Sequence, residues 1–160
     1  MVKRQKWKVG DLFKIPLADG SASLGHIVAQ EREMLNSVTC AFYDTKVPDT
    51  CPPHAPPLPR EDALIACLFT THDLLSTGIW TVIGHSPPQV SRAQLPHEDC
   101  RRKGWVGAKM RGSGIVRQFL DAYYCLAPWD DWADPKYLDA FLIDPSKKPN
   151  DLIYVKTTNA

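Results

Sequence analysis

Apolar positions fall in short blocks over the first two thirds of the chain and at helical spacing in the last third. LFKIPL at 12–17 reads as a first strand, and Pro16 restricts it to an edge or a bulge because proline cannot donate to a ladder. The Asp-Gly pair in ADGS, 18–21, predicts a hairpin turn into the strand ASLGHIVAQE, 22–31. Gly25 marks a bulge or a close backbone approach at its middle. SVTCAFY, 37–43, completes an antiparallel meander whose β-branched and aromatic residues suit a half-buried pleat. ALIACLFTT, 63–71, reads as a continuous apolar, central strand, and IWTVIGH, 79–85, as another. Between them HDLLSTG reads as a short turn or one helical turn, ended by Gly78. WVGAKMR at 105–111 and LIYVKT at 152–157 are expected to add two further strands.

The stretch 112–144 reads as helix, acidic aromatic corner, helix. Ile115, Val116, Phe119, Leu120, Tyr123 and Leu126 share one face, with Ser113 as N-cap and Pro128 as the stop. Asp134 followed by Pro135 opens a second helix carrying Tyr137, Leu138, Phe141 and Leu142, and Pro145 closes it. Strands first and helices late predict an α+β fold: a mainly antiparallel, curved or barrel-like sheet with two C-terminal helices packed on one side.

Size, at 160 residues, fits a single domain, 1–160, with a basic tail at 1–8 and a proline-dense surface loop at 47–62. Hydrophobic residues at 44% and charged residues at 23% are ordinary for a globular protein, and a net charge of +1 gives no bulk field for nucleic acid. No apolar run approaches a membrane span, and the basic N-terminus lacks a signal-peptide core, so a cytoplasmic location is expected. Five cysteines without a CxxC argue against a disulfide framework or zinc knuckle. Cys40, Cys67 and Cys125 read as buried hydrophobes, and Cys51 and Cys100 as loop thiols.

No complete catalytic or metal motif is present, and no cofactor is expected. His26, His54, His72, His85 and His97 are isolated in sequence; His26 and His85, on or at the ends of strands, are the best metal candidates. The aspartates around 130–144 could gather a cation, but capping and the helix dipole explain most of them. GSG at 112–114 could hold an anion at a helix start. Arg101, Arg102, Lys103, Lys109 and Arg111 interleave with Trp105 and could grip a nucleic-acid backbone or an acidic protein. Near-neutral charge disfavours the first.

GDLFKIPLADGSASLGHIVAQ, the downstream AFYD and GIWTVIG at 78–84 resemble the immunity protein 26 family of bacterial polymorphic toxin systems. FLDAYYCLAPWDDWADPKYLDAFLI resembles the helical end of a longer branch of it, with Cys125 standing where a glycine would end the first helix. The resemblance implies a cytoplasmic α and β protein that neutralises a secreted toxin by binding it. Trp129, Asp130, Asp131 and Trp132 are then the first contact candidates, and Arg101, Arg102, Lys103 and Trp105 the second. The same grouping carries the label of a small organophosphate triester hydrolase, which implies a metal-activated water. The HxH pairing of well-known binuclear phosphotriesterases is absent.

Overall fold

The computed structural model describes residues 3–49, 59–90, 95 and 98–155. Five strands form one antiparallel sheet: β1 Asp11–Pro16, β2 Ser21–Glu31, β3 Ser37–Pro48, β4 Leu64–Thr70 and β5 Thr81–His85, in the order β4-β3-β2-β1-β5. The helices are α1 Asp73–Thr77, α2 Glu98–Arg102 and α3 Ser113–Tyr123, with short 3-10 turns at Glu61–Ala63, Tyr137–Phe141 and Pro145–Lys147. The sheet is open, with β4 and β5 as its edges.

The meander follows the expected plan. Gly20 adopts φ 84°, and the Asp19 carboxylate accepts from the Ser21 amide at 3.0 Å and from Lys46 at 2.6 Å. The Lys46 bond, with those from Ser21, holds the Asp19 carboxyl well below the usual range. Gly25 faces Phe13 in the β1–β2 register, and a Cβ there would lie 2.4 Å from Phe13 Cζ, so the ring takes the place a side chain would need. Phe13 stacks on Trp80 at 5.3 Å, and Phe42 meets the same indole edge-on at 5.9 Å.

Several elements depart from the sequence reading. β1 lies inside the sheet: β5 pairs only with Asp11–Lys14, so Pro16 sits beyond the ladder it could not join. β4, expected to be central, is an edge strand. Residues 105–111 form no strand. Trp105 and Gly107 take φ of 70° and 86°, values incompatible with a pleat, and only Arg111 bridges to Thr70. Nor do residues 152–155 return to the sheet. The Ile153 carbonyl accepts from the Trp129 amide at 2.8 Å and the Val155 amide donates to Asp130 Oδ1 at 2.7 Å. Residues 156 and 157 lie outside the described residues, as does most of the proline-dense loop.

α3 lays Val116, Phe119, Leu120 and Tyr123 on one sheet face against Phe13, Ile27, Val38 and Phe42. The opposite face carries smaller clusters, Leu12–Leu24–Ile83 and Ala29–Cys67–Leu95. The polar side of α3 also binds: Arg117 Nε donates to the Pro16 carbonyl at 3.2 Å and Asp121 accepts from the Ala18 amide at 2.9 Å. The N-cap is Gly112. Ser113, expected there, begins the helix buried, its hydroxyl donating to Asp73 Oδ1 at 2.6 Å. That carboxylate occupies the start of α3, where a free anion was envisaged.

α3 ends before Pro128, at Tyr123, through a Schellman closure. Cys125 adopts φ 60°, its amide donates to Ala122 O at 3.1 Å, and the Leu126 amide donates to Asp121 O at 2.8 Å. The expected second helix is reduced to the 3-10 turn Tyr137–Phe141. Leu142 is already extended and the Ile143 amide donates to the Ile65 carbonyl of β4 at 2.8 Å, so edge pairing replaces helix continuation.

Candidate interaction surface

Two regions hold the side chains with chemistry, one at each end of the sheet. At the β1–β5 end, the Gly10-Asp11 pair ties three strands. The Gly10 amide donates to Ile27 O at 2.8 Å, and Gly10 O accepts from the Ser86 amide at 2.9 Å. Gly10 has φ 97°, and a Cβ there would come within 2.5 Å of His85 Cε1. Asp11 is buried; Oδ2 accepts from the Lys8 amide at 3.0 Å and Oδ1 lies 2.9 Å from His85 Nδ1.

His26 is fully buried, with Nε2 at 3.1 Å from Gly10 O and 2.8 Å from Ser86 O. Two carbonyl acceptors assign the proton to Nε2, which leaves Nδ1 as a buried acceptor without a partner. Burial lowers the His26 pKa from its ordinary value against the pull of the two carbonyls. His26 and His85 thus spend these nitrogens on strand ends and a carboxylate. Among the described residues no group of three or more His, Cys, Asp or Glu side chains is disposed to hold a metal. His54 and His97 lie outside those residues. Cys40 and Cys67 are buried; burial raises the Cys40 thiol well above its ordinary pKa and the Cys67 thiol to about 12. Both behave as small apolar side chains. Cys125 and Cys100 are half-buried, and Cys51 lies outside the described residues.

The other end is built from the β4 edge, the 101–111 segment and the corner at 129–132. Trp129 is fully buried against Phe119 at 5.7 Å, its indole N–H donating to Asp139 Oδ1 at 2.7 Å. Burial pushes the Asp139 carboxyl up, but that bond and Lys148 at 2.9 Å hold it below the ordinary value. Asp130 is buried and accepts from the Val155 amide. Asp131 is exposed and Trp132 half-buried. The corner therefore sends one indole and one carboxylate inward and offers the other two to solvent.

Within the basic segment, Arg101 is clamped by Glu98 through Nε at 3.1 Å and a terminal nitrogen at 2.5 Å. Trp105 stacks on Phe69 of β4, with ring centroids 5.3 Å apart. Arg102, Lys103 and Lys109 are exposed. Arg111 joins this segment to the corner. Its guanidinium lies 4.4 Å from the Phe141 ring centroid and 5.3 Å from that of Tyr137, and Tyr137 packs on Trp132 at 4.9 Å. The two patches singled out separately in the sequence thus meet through Tyr137 and Arg111. The link was hidden because Tyr137 reads only as part of a helical stripe.

The fold is α+β, an open five-stranded antiparallel sheet backed on one face by α3. The immunity protein 26 family model matches residues 8–105, more than half of the chain, and the protein belongs to that family. The match covers all five strands and stops at Trp105, so α3 and the corner lie beyond it. No curated protein and no solved structure matches the chain. No helix among the described residues is long and apolar enough to cross a membrane.

Proposed function

We propose that this protein is the immunity partner of a cognate bacterial toxin, which it neutralises in the cytoplasm by binding stoichiometrically and covering the toxin's active site. Membership of the immunity protein 26 family is the observation that carries this reading. The face described above supplies what such an interface needs: aromatic anchors held rigid from behind and a rim of mobile charge. Trp132 and Asp131 from the corner, with Arg102 and Lys103 from the basic segment, make the contacts. Trp129 and Asp130 lie beneath this surface, Arg101 and Trp105 are half-buried beside it, and the four hold its shape through the bonds and stacks given above. Exposed cations on this face steer an acidic partner, so association slows as salt rises.

The test is co-purification and calorimetry with the product of the adjacent toxin gene. One-to-one binding together with loss of toxicity is expected. Absence of binding by the folded protein would overturn the reading.

A further inference from the structure

Arg111 is fixed at its backbone and at its guanidinium, yet it has no counter-ion among the described residues. Its amide donates to the Phe69 carbonyl at 2.8 Å, and its carbonyl accepts from the Thr71 amide at 3.3 Å. The guanidinium lies 4.4 Å from the Phe141 ring centroid and 5.3 Å from that of Tyr137. Nη1 donates to the Tyr137 hydroxyl at 3.4 Å, the only hydrogen bond of this side chain among the described residues. The fork formed by Nε and Nη2 is thus left without a protein acceptor there. A half-buried cation lacking an opposing charge keeps a desolvation cost that a bound anion would offset. Arg111 lines a cavity of about 280 Å³ together with Lys109, Leu68, Phe141, Leu142 and Ile143. Among the described residues no carboxylate lines this cavity, and Lys109 makes no ion pair.

We infer that this cavity is a binding site for a carboxylate carried on an apolar stem. The fork selects the head, because two parallel N–H groups match the two oxygens of a carboxylate, and Lys109 adds a second, flexible charge. The lining selects the stem, since Phe141, Leu142 and Ile143 offer it apolar contact. Small-ligand sites begin at about 300 Å³, so this volume suits one acidic side chain or a small organic acid. Two rings already hold the guanidinium in place, and little freedom is lost when a carboxylate docks. The site does not rest on the toxin reading. Its carboxylate comes either from a side chain of the toxin or from a free acid, and the two sources are separable by experiment.

The test titrates the isotope-labelled chain with phenylacetate, with phenylacetamide as its neutral isostere, and with inorganic phosphate. Saturable shifts of the Arg111 Nε–H and of the amides of Phe141, Leu142 and Ile143 are expected with phenylacetate, with binding about tenfold or more weaker for the amide and for phosphate. Shifts that do not saturate with phenylacetate, or that the amide or phosphate reproduces, would overturn the site. Ala140 is an exposed lining residue, so Ala140→Glu brings an internal carboxylate to the fork without touching the core. This variant is expected to move the Arg111 Nε–H signal as phenylacetate does and to weaken phenylacetate binding by about tenfold or more, with thermal unfolding no lower than in the parent. An unmoved Arg111 signal together with unchanged phenylacetate affinity would also overturn the site. The same variant then separates the sources. Weakened binding of the adjacent gene's toxin assigns the carboxylate to the toxin, and unchanged toxin affinity with phenylacetate lost assigns it to a free acid; either result upholds the site.

Discussion

The two ends of the sheet handle polar groups in opposite ways. At the β1–β5 end, Asp11 and His26 are turned inward and spent on strand ends. At the β4 end, Lys109 and Asp131 remain in solvent, and Arg111 and Trp132 are half-covered on aromatic neighbours. Inward polar groups fix register, because a buried donor or acceptor without its partner costs more than its bond returns. Outward ones add little to stability and remain available to a partner. Of the two histidines that were the attractive metal candidates, His26 is enclosed, and His85 is exposed with its Nδ1 2.9 Å from Asp11 Oδ1.

The sharpest break of this contrast would come from the interior that both ends share. Phe13→Ala and Trp129→Ala are each expected to lower unfolding free energy by about 3–5 kcal/mol in denaturant titration, since both side chains are fully buried. Gly25→Ala is expected to cost about 1–3 kcal/mol through overpacking against the Phe13 ring. A smaller loss here would mean that β1 and β2 can separate without penalty.

A pH series separates the ends more finely. His26 titrates below its ordinary value of 6.5 in the fold, so the unfolded chain binds the proton first as pH falls. The stability contributed is present above that value and is lost on acidification through the window beneath it. The denaturant midpoint is expected to drop between pH 7 and pH 5, and His26→Gln to flatten that drop while lowering stability at pH 7. An unchanged slope would place the titration elsewhere. Smallest of all, Lys103→Glu is expected to shift stability by no more than about 0.5 kcal/mol, because its side chain is exposed. It should nevertheless raise the toxin's dissociation constant and lessen the salt dependence of binding.

Local chemistry made much of the fold legible. The Asp19-Gly20 turn, the Gly25 approach and the Gly78 stop follow from residue types at particular backbone positions, whereas Cys125 at φ 60° does not, because a residue with a Cβ disfavours that conformation. What stayed hidden was set by distant pairing. ALIACLFTT looks central by its apolarity, but its outer side is covered by Phe141 and Trp105 rather than by a strand. WVGAKMR has strand composition, yet its tryptophan is used to stack on Phe69 in a turn. The stripe at 137–142 gives way to 3-10 geometry because Ile143 is drawn onto β4. The contact surface was legible as residue types in two patches. Its continuity depends on Tyr137 meeting both Arg111 and Trp132, a relation no local spacing encodes.

Hydrogen exchange on the complex with the adjacent gene's toxin tests the central distinction most directly. Added protection is expected at 102–111 and 131–143, with the amides around Gly10 and His85 exchanging as they do in the free protein. Protection concentrated at Gly10–Asp11 and His85 instead, with 102–111 and 131–143 unaffected, would contradict it.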